Sequence, residues 1–536
     1  MSELQIYQQT DFTGGLNFRA DQFQLSDNES PEMSNVEIDP RGGVFSRGGY
    51  ERINSTAVAG TWSPKRLHKF TGATNRLMLT TGAKVYHSTG GDFTALAFSS
   101  GNDIAVSYAH GASFANWGTD LYISTGIAGA GTYSWVSTAP FATAIGVLTT
   151  GGFNNTYASP LANLFPKANL LAVHANKMFA AGVSISSVDY PNRLYWSHED
   201  SPKDWATDDY VEIVGGGDAI TGLAVVNGSL MIFKKNSIYL LLGYDSADFR
   251  LVQLSSNLGA PHPLAVTVSD SSAYFFSNPE GLHSFDGSRI VDLFDNLRPS
   301  IDDNDFNLAA PNAVTLSWVG NRLWMSAPYK EGSTVTDPKV NFVFDPSIGR
   351  DGSFTLFDST DEYGLVGGVD YEDASGNNIY LMIHPIEPRV LQVDKYSLSV
   401  DNITGTTANF VSYYRTKWFD GGSYMQKKMF RRPDIVAKEP SSSTIINVKV
   451  FHNFDEGAGQ ERKNFDLTLT PTTTGILWGS GLWGGTWGYG AGSSTVLTGR
   501  NLGLARCVQL RFTGPAGKSW GINSIGYKYQ GRRVKG

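Results

Sequence analysis

Four sets of residues in this 536-residue chain are of types capable of chemistry, and their spacing decides what each can do. The glycine-rich run 479–492 has the composition of a phosphate cradle, in which backbone amides surround an oxyanion. It lacks the Gly-Lys-Ser/Thr ending, and no helical pattern follows to present amide dipoles, so that use is rejected. Asp302-Asp-Asn-Asp305 has the acidic density of a calcium loop, but such a loop alternates its ligands, turns on a glycine and closes with a glutamate. None of that is present, which predicts a solvated loop. The nine histidines show no metal-ligand spacing, and His198 and His262, each in a turn-like context, are predicted to be turn hydrogen-bonding groups. Cys507 lies in the alternating run Ala505 to Phe512 and predicts a buried strand residue; as the single cysteine it excludes an intramolecular disulfide.

Two further signals are weaker. Ser284-Phe-Asp-Gly287 has part of the aspartate-box turn of sialidases, but the later glycine and tryptophan of the box are missing, so a plain hairpin turn is expected. No Gly-x-Ser-x-Gly elbow occurs, and no carboxylate pair is set apart as acid and base. No catalytic residue, metal site or cofactor is assigned, and the chain is not expected to be an enzyme. The basic residues Lys427, Lys428, Arg431, Arg432, Arg532, Arg533 and Lys535 form a candidate contact surface for a phosphate backbone or an acidic protein face. They belong to a strong asymmetry. Residues 405–536 carry 18 Lys and Arg against 7 Asp and Glu, whereas residues 1–404 carry 24 against 43. Such a division suits different partners for different regions, or a basic face meeting an acidic neighbour in an assembly.

The elements that must position these residues are announced by a phrase recurring every 44 to 57 residues, a turn residue or two followed by an aromatic and aliphatic run. It reads Asn75-Arg-Leu-Met-Leu-Thr80, Thr119-Asp-Leu-Tyr-Ile-Ser124, Asn176-Lys-Met-Phe-Ala-Ala181, Asn227-Gly-Ser-Leu-Met-Ile-Phe233, Ser271-Ser-Ala-Tyr-Phe-Phe-Ser277, Asn321-Arg-Leu-Trp-Met-Ser326 and Asn377-Asn-Ile-Tyr-Leu-Met382. Strand-type repeats at this interval are the signature of β-propeller blades of about four strands. Aromatics at 12%, charged residues at 17%, 59 glycines and 22 prolines, with no long amphipathic-helix period, predict an all-β protein. The ring has seven blades, or six if one copy belongs to an insertion; the intervals 126–170 and 328–342 predict loops on one face.

Three regions follow: a docking arm over 1–60, the propeller over 61–404 and a C-terminal β-sandwich over 405–536. In the arm, Ser34 to Ile38 and Val44 to Arg47 predict strands about the turn Asp39-Pro-Arg-Gly-Gly43, and Asn28 to Ser34 predicts one helical turn with Pro31 near its start. The sandwich strands are expected at 409–418, 444–451, 463–470, 507–512 and 522–529. Between them lies a glycine loop studded with Trp478, Trp483, Trp487 and Tyr489, a candidate assembly or gate loop. No apolar run is long enough to cross a bilayer and the start lacks the regions of a signal peptide, which predicts a chain that folds where it is made, without a membrane span.

Taken together, Gly14-Gly-Leu-Asn17, Ser30 to Glu37, Asp39 to Tyr50, Leu194-Tyr-Trp-Ser-His-Glu-Asp-Ser-Pro-Lys-Asp-Trp205, Lys427 to Arg432, Val508 to Phe512 and Trp520 to Tyr527 with the basic terminus resemble the propeller-bearing tail nozzle, or tail tubular (DNA-stabilisation), proteins of short-tailed bacteriophages. The resemblance implies a structural virion protein in the phage tail, assembled in the host cytoplasm. It implies a homohexameric ring that docks on the tail adaptor below the portal, neighbours a tail fibre or spike, retains packaged DNA and lets it pass at infection without sequence-specific binding. An acidic wall suits such passage, because spaced cations would trap a polyanion. The alternative is a tail-fibre or baseplate propeller that binds or cleaves a host surface glycan.

Overall fold

The computed structural model describes residues 3–531 apart from 20, 22–23, 73–74, 97–102, 127–132, 137–166, 186–187, 203, 216, 304, 310–313, 331–334, 374, 439–441, 456–458 and 471–493. All seven recurrent phrases form the second strand of a blade, so none belongs to an insertion. Their leading residues explain the phrase. The first two strands of a blade are joined by two-residue turns, as at His174 to Lys177, Val226 to Ser229 and Val319 to Arg322. Both turn residues have positive φ (Ala175 and Asn176, Asn227 and Gly228, Gly320 and Asn321), the geometry that matches strand twist and favours Asn and Gly. The second strand is then buried on both faces, which is why it reads as a continuous apolar run rather than an alternating one.

Blades I to VII begin at the inner strands Pro64–Phe70, Ser113–Trp117, Leu170–His174, Ile220–Val226, Val266–Val268, Thr315–Val319 and Val366–Glu372. Five blades are four-stranded antiparallel sheets in chain order, and blade II shows three strands among the described residues. In blade VII the strands Val366–Glu372, Asn378–Ile383 and Val390–Lys395 are completed by Gly49–Arg52 from the opposite end of the chain. Each pair of neighbouring blades encloses its own apolar cluster. Leu77 and Leu79 of blade I pack with Leu381 and Ile383 of blade VII, while Met78, between them in sequence, packs with Leu121 and Ile123 of blade II. The same alternation continues around the molecule to the cluster of Trp324, Val343, Met382 and Leu391 between blades VI and VII. Seven seams close a ring of seven blades, and the fold is an all-β propeller with a β-sandwich appended.

The sandwich consists of two sheets. One runs Lys463–Leu469, Thr444–His452, Val508–Thr513, Tyr413–Arg415 and the arm's Met33–Ser34. The other is built around Gly521–Gly531: Lys428–Phe430 and Asp434–Lys438 lie along one of its edges, and the arm's Gln5–Gln9 and Val44–Ser46 along the other. Val448, Leu510 and Phe512 face Ile435, Ile522 and Ile525 across the core, which runs on without a break into the blade V and VI seam. The arm thus docks on its own chain. The helical turn expected at Asn28 to Ser34 does not form: Glu29–Ser30 and Met33–Ser34 are short strands. Pro31 disfavours helical backbone at Ser30, and the Ser30 hydroxyl instead donates to the Arg415 carbonyl at 2.7 Å.

Candidate functional site

The propeller and sandwich meet through the arm, and two buried arginines fix that junction. Arg47 follows the strand Val44–Ser46 and is closed from solvent. Its guanidinium donates to both Asp401 carboxylate oxygens at 2.8 and 2.9 Å, to the Asn35 amide oxygen at 2.8 Å and to the Gly48 and Asp358 carbonyls at 2.8 Å, with the rings of Tyr50 and Phe410 on it at 3.7 and 3.9 Å. One side chain therefore ties the arm to the end of blade VII and to the segment joining blades VI and VII. Arg322 pairs with Asp394 and stands 3.7 Å from Glu37, whose other oxygen accepts from the Tyr396 hydroxyl at 2.6 Å. Burial pushes the Glu37 carboxyl up to about 7 against the pull of Arg322.

Arg322 lines one groove, and the Arg47 partners Asp358 and Phe410 line another. On the face carrying the turns between first and second strands, a groove of about 790 Å³ is lined by Glu37, Tyr274, Trp318, Arg322, Tyr380 and Tyr396, with the Tyr274 and Trp318 rings stacked at 5.4 Å. On the opposite face a groove of about 750 Å³ runs between blade VI, the arm and the sandwich, past Tyr329, Lys339, Asp358 and Arg415.

The candidate basic surface divides. Lys427, Arg431 and Arg432 are exposed on the sandwich. Lys428 is only 4% exposed, with its ammonium on the Ser423 and Gln426 carbonyls, so it serves the fold instead of presenting charge. Arg532, Arg533, Lys535 and the loop residues Trp478, Trp483, Trp487 and Tyr489 lie outside the described residues. Around the exposed cations, the outer face of the sheet built on Gly521–Gly531 leaves apolar side chains in solvent: Ile6, opposite Lys528, is 67% exposed, Met429 and Val496 are exposed on the same sheet, and Met425 is exposed in the turn that leads into Met429. Sequence reasoning missed this face because it is assembled from both chain ends.

The charge asymmetry is partly satisfied within the chain. Residues 1–52 carry four Lys and Arg against nine Asp and Glu, and Glu32 pairs with Arg415 at 2.8 Å and Arg511 at 3.8 Å, while Asp27 pairs with Lys417. Other nominated residues are placed as follows. Asp286 accepts from the Ser288 and Arg289 amides at 2.8 and 2.9 Å, a plain hairpin turn whose hydrogen bonds lower its carboxyl to about 2. His198 belongs to a turn, its backbone amide bonded to the Asp204 carbonyl, and Trp205 packs into the blade II and III seam. Cys507 is buried and its thiol pushed up to about 11 by burial, which makes it unreactive. His262 caps the turn Pro263–Ala265, its carbonyl accepting from the Ala265 amide at 3.1 Å, while its ring is buried in the passage from blade IV to blade V and stacked on His110 at 5.2 Å. Asp302 ends a single helical turn, Pro299–Asp302, and among the described residues no three His, Cys, Asp or Glu side chains group as metal ligands.

No protein-family model matches the chain, and no curated protein matches it. Among solved structures it is similar to YCF48 bound to D1 peptide, at 9% identity and a TM-score of 0.36, over 68% of this chain and 97% of that one. It is also similar to the extracellular domain of the putative one component system BT4673 from B. thetaiotaomicron, at 10% identity and a TM-score of 0.36, over 77% of this chain and 48% of that one. A third, the extracellular domain of the putative hybrid two component system BT4673 from the same organism, matches at 13% identity and a TM-score of 0.35, over 68% and 44%. The chain spans less than half the length of the two BT4673 chains.

Proposed function

We propose that this chain is the nozzle subunit of a short-tailed phage tail, a structural protein that assembles as a homohexameric ring on the tail adaptor, retains DNA and conducts it at infection. The observation that carries the reading is a sheet face of the sandwich on which Ile6, Met429 and Val496 are exposed, with Met425, Lys427, Arg431 and Arg432 exposed beside it. Exposed apolar side chains gathered on one face mark a surface that is covered by something. A basic, apolar face and an acidic propeller on the same chain are complementary between copies, and a head-to-tail contact between unlike surfaces closes into a ring when its rotation divides a full turn. The propeller suits that load, since its last blade is locked by Gly49–Arg52 and the arm is stitched into the sandwich.

Mass measurement and single-particle imaging of the purified chain test the reading. Six copies with a central passage are expected, and Val496→Glu with Met425→Glu is expected to release subunits while leaving the circular dichroism spectrum unchanged. A monomer at high concentration, or a trimer, sinks it. The tail-fibre or baseplate reading is favoured by the groove of Tyr274, Trp318, Tyr380 and Tyr396, because stacked aromatics beside Asp270 and Asp394 have the chemistry of a sugar platform. A trimer that retains or cleaves host polysaccharide would select it.

A further inference from the structure

The inner strand of blade I holds two adjacent cations that no carboxylate among the described residues neutralises. Lys65 and Arg66 are adjacent on the inner strand of blade I, at a bulge between Pro64 and Arg66. Among the described residues neither has an ion pair or a side-chain hydrogen bond, and no carboxylate acts on either; burial lowers both below their usual values. Blade VII presses them into place, since a side chain at Gly367 would meet the Lys65 carbonyl at 2.6 Å and the Arg66 Cα at 2.7 Å. Both line a cavity of about 120 Å³ in the middle of the ring, bounded by blade I and by Leu264, Thr267, Thr315, Ser317 and Gly368 of blades V, VI and VII.

Two buried polar atoms beside these cations also lack partners. Thr315, on the cavity wall, is 8% exposed and its hydroxyl has no hydrogen bond. His262 is 6% exposed, its Nδ1 has none, and burial, reinforced by the nearby His110, Arg66 and Lys65, holds it neutral. Buried polar atoms without partners and half-buried like charges without a counter-ion are each costly, and here they converge. A tetrahedral oxyanion answers both. It offers paired oxygens to a guanidinium, a charge to the ammonium and an acceptor to the Thr315 hydroxyl on the cavity wall.

We propose that this channel cavity binds one small free oxyanion of the phosphate class, which closes the centre of the ring electrostatically. The cavity is well below the roughly 300–1,000 Å³ of pockets that hold drug-sized ligands, which favours the free ion over an ester. The site lies within one subunit, so it stands or falls independently of assembly.

The test is isothermal titration of the full chain with inorganic phosphate, against chloride at matched ionic strength, with a thermal melt alongside. Saturable one-to-one binding and a concentration-dependent rise in melting temperature are expected. Arg66→Gln is expected to weaken binding about tenfold or more, as loss of a hydrogen bond to a charged group does, and Thr315→Val by less. Absence of saturable binding to the wild-type chain overturns the proposal without reference to any variant. Equal affinity in a folded Arg66→Gln variant overturns it too, and tighter binding of adenosine monophosphate than of phosphate overturns the free-ion assignment.

Discussion

At the scale of single residues, Arg47 shows how little of a decisive side chain is visible in one dimension. Its neighbours Ser46 and Gly48 mark a strand end and a turn, and that much is legible. Its partners Asp401, Asp358 and Phe410 come from the far end of the propeller, and no local pattern announces them. Asp286 is the opposite case, because its partners lie two and three residues along, and the Ser-Phe-Asp-Gly composition was enough to expect a hairpin turn. The Arg47 network gives a clear expectation. Arg47→Leu leaves the Asp401 carboxylate buried and unpaired, which costs about 3–5 kcal/mol, whereas Arg47→Leu with Asp401→Leu removes both charges and restores much of that loss. Denaturant midpoints of the two variants check this; equal midpoints for the single and double variants would show that the pair is not coupled.

At the scale of elements, what was legible follows from which strands are buried on both faces. The second strand of every blade is sandwiched between two seams, so its composition is constrained throughout and the repeat can be read. Some outer strands are short and half-solvated, as Thr94–Ala95 and Ile290–Asp292 illustrate, and carry almost no signal. The closing strand Gly49–Arg52 reads from sequence as part of a separate arm because its ladder partner, Val390–Lys395, lies at the other end of the propeller. Two glycines permit that approach. A methyl group on Gly49 would sit 2.1 Å from the Val400 carbonyl oxygen, and one on Gly48 would sit 2.8 Å from the Lys395 amide nitrogen. Backbone cannot give way as a side-chain tip can, so Gly49→Ala is expected to cost about 1–3 kcal/mol and to loosen blade VII before the other blades. Amide hydrogen exchange reads this directly: accelerated exchange confined to Gly49–Arg52 and Val390–Lys395 is expected, and uniform acceleration around the ring would contradict it.

At the scale of the whole molecule, the chain is one continuous structure in which a propeller and a sandwich share an arm and a core, and its response to acid follows from groups in both. His68 and His87 of blade I are pushed down to about 4 and His262 to about 3, in each case chiefly by burial. A histidine in the unfolded chain titrates near 6.5. Below that pH the unfolded state takes up protons that the folded state refuses, so these groups contribute stability above pH 6.5 that is lost as the pH falls toward their folded values. Glu37 acts in the opposite sense: raised to about 7, it contributes stability below pH 4.5 that is lost as the pH rises through 7. Three groups oppose one, and the melting temperature is expected to fall between pH 6.5 and pH 4.5. For His262, the most buried of the three, the slope approaches about 1.4 kcal/mol per pH unit. His262→Gln should flatten that limb and Glu37→Gln should steepen it, since the second removes the only one of these four groups that favours the folded state on acidification. Melting curves from pH 8 to pH 4.5 decide the matter: parallel profiles for the wild type and His262→Gln would mean that this histidine already carries its proton in the folded ring.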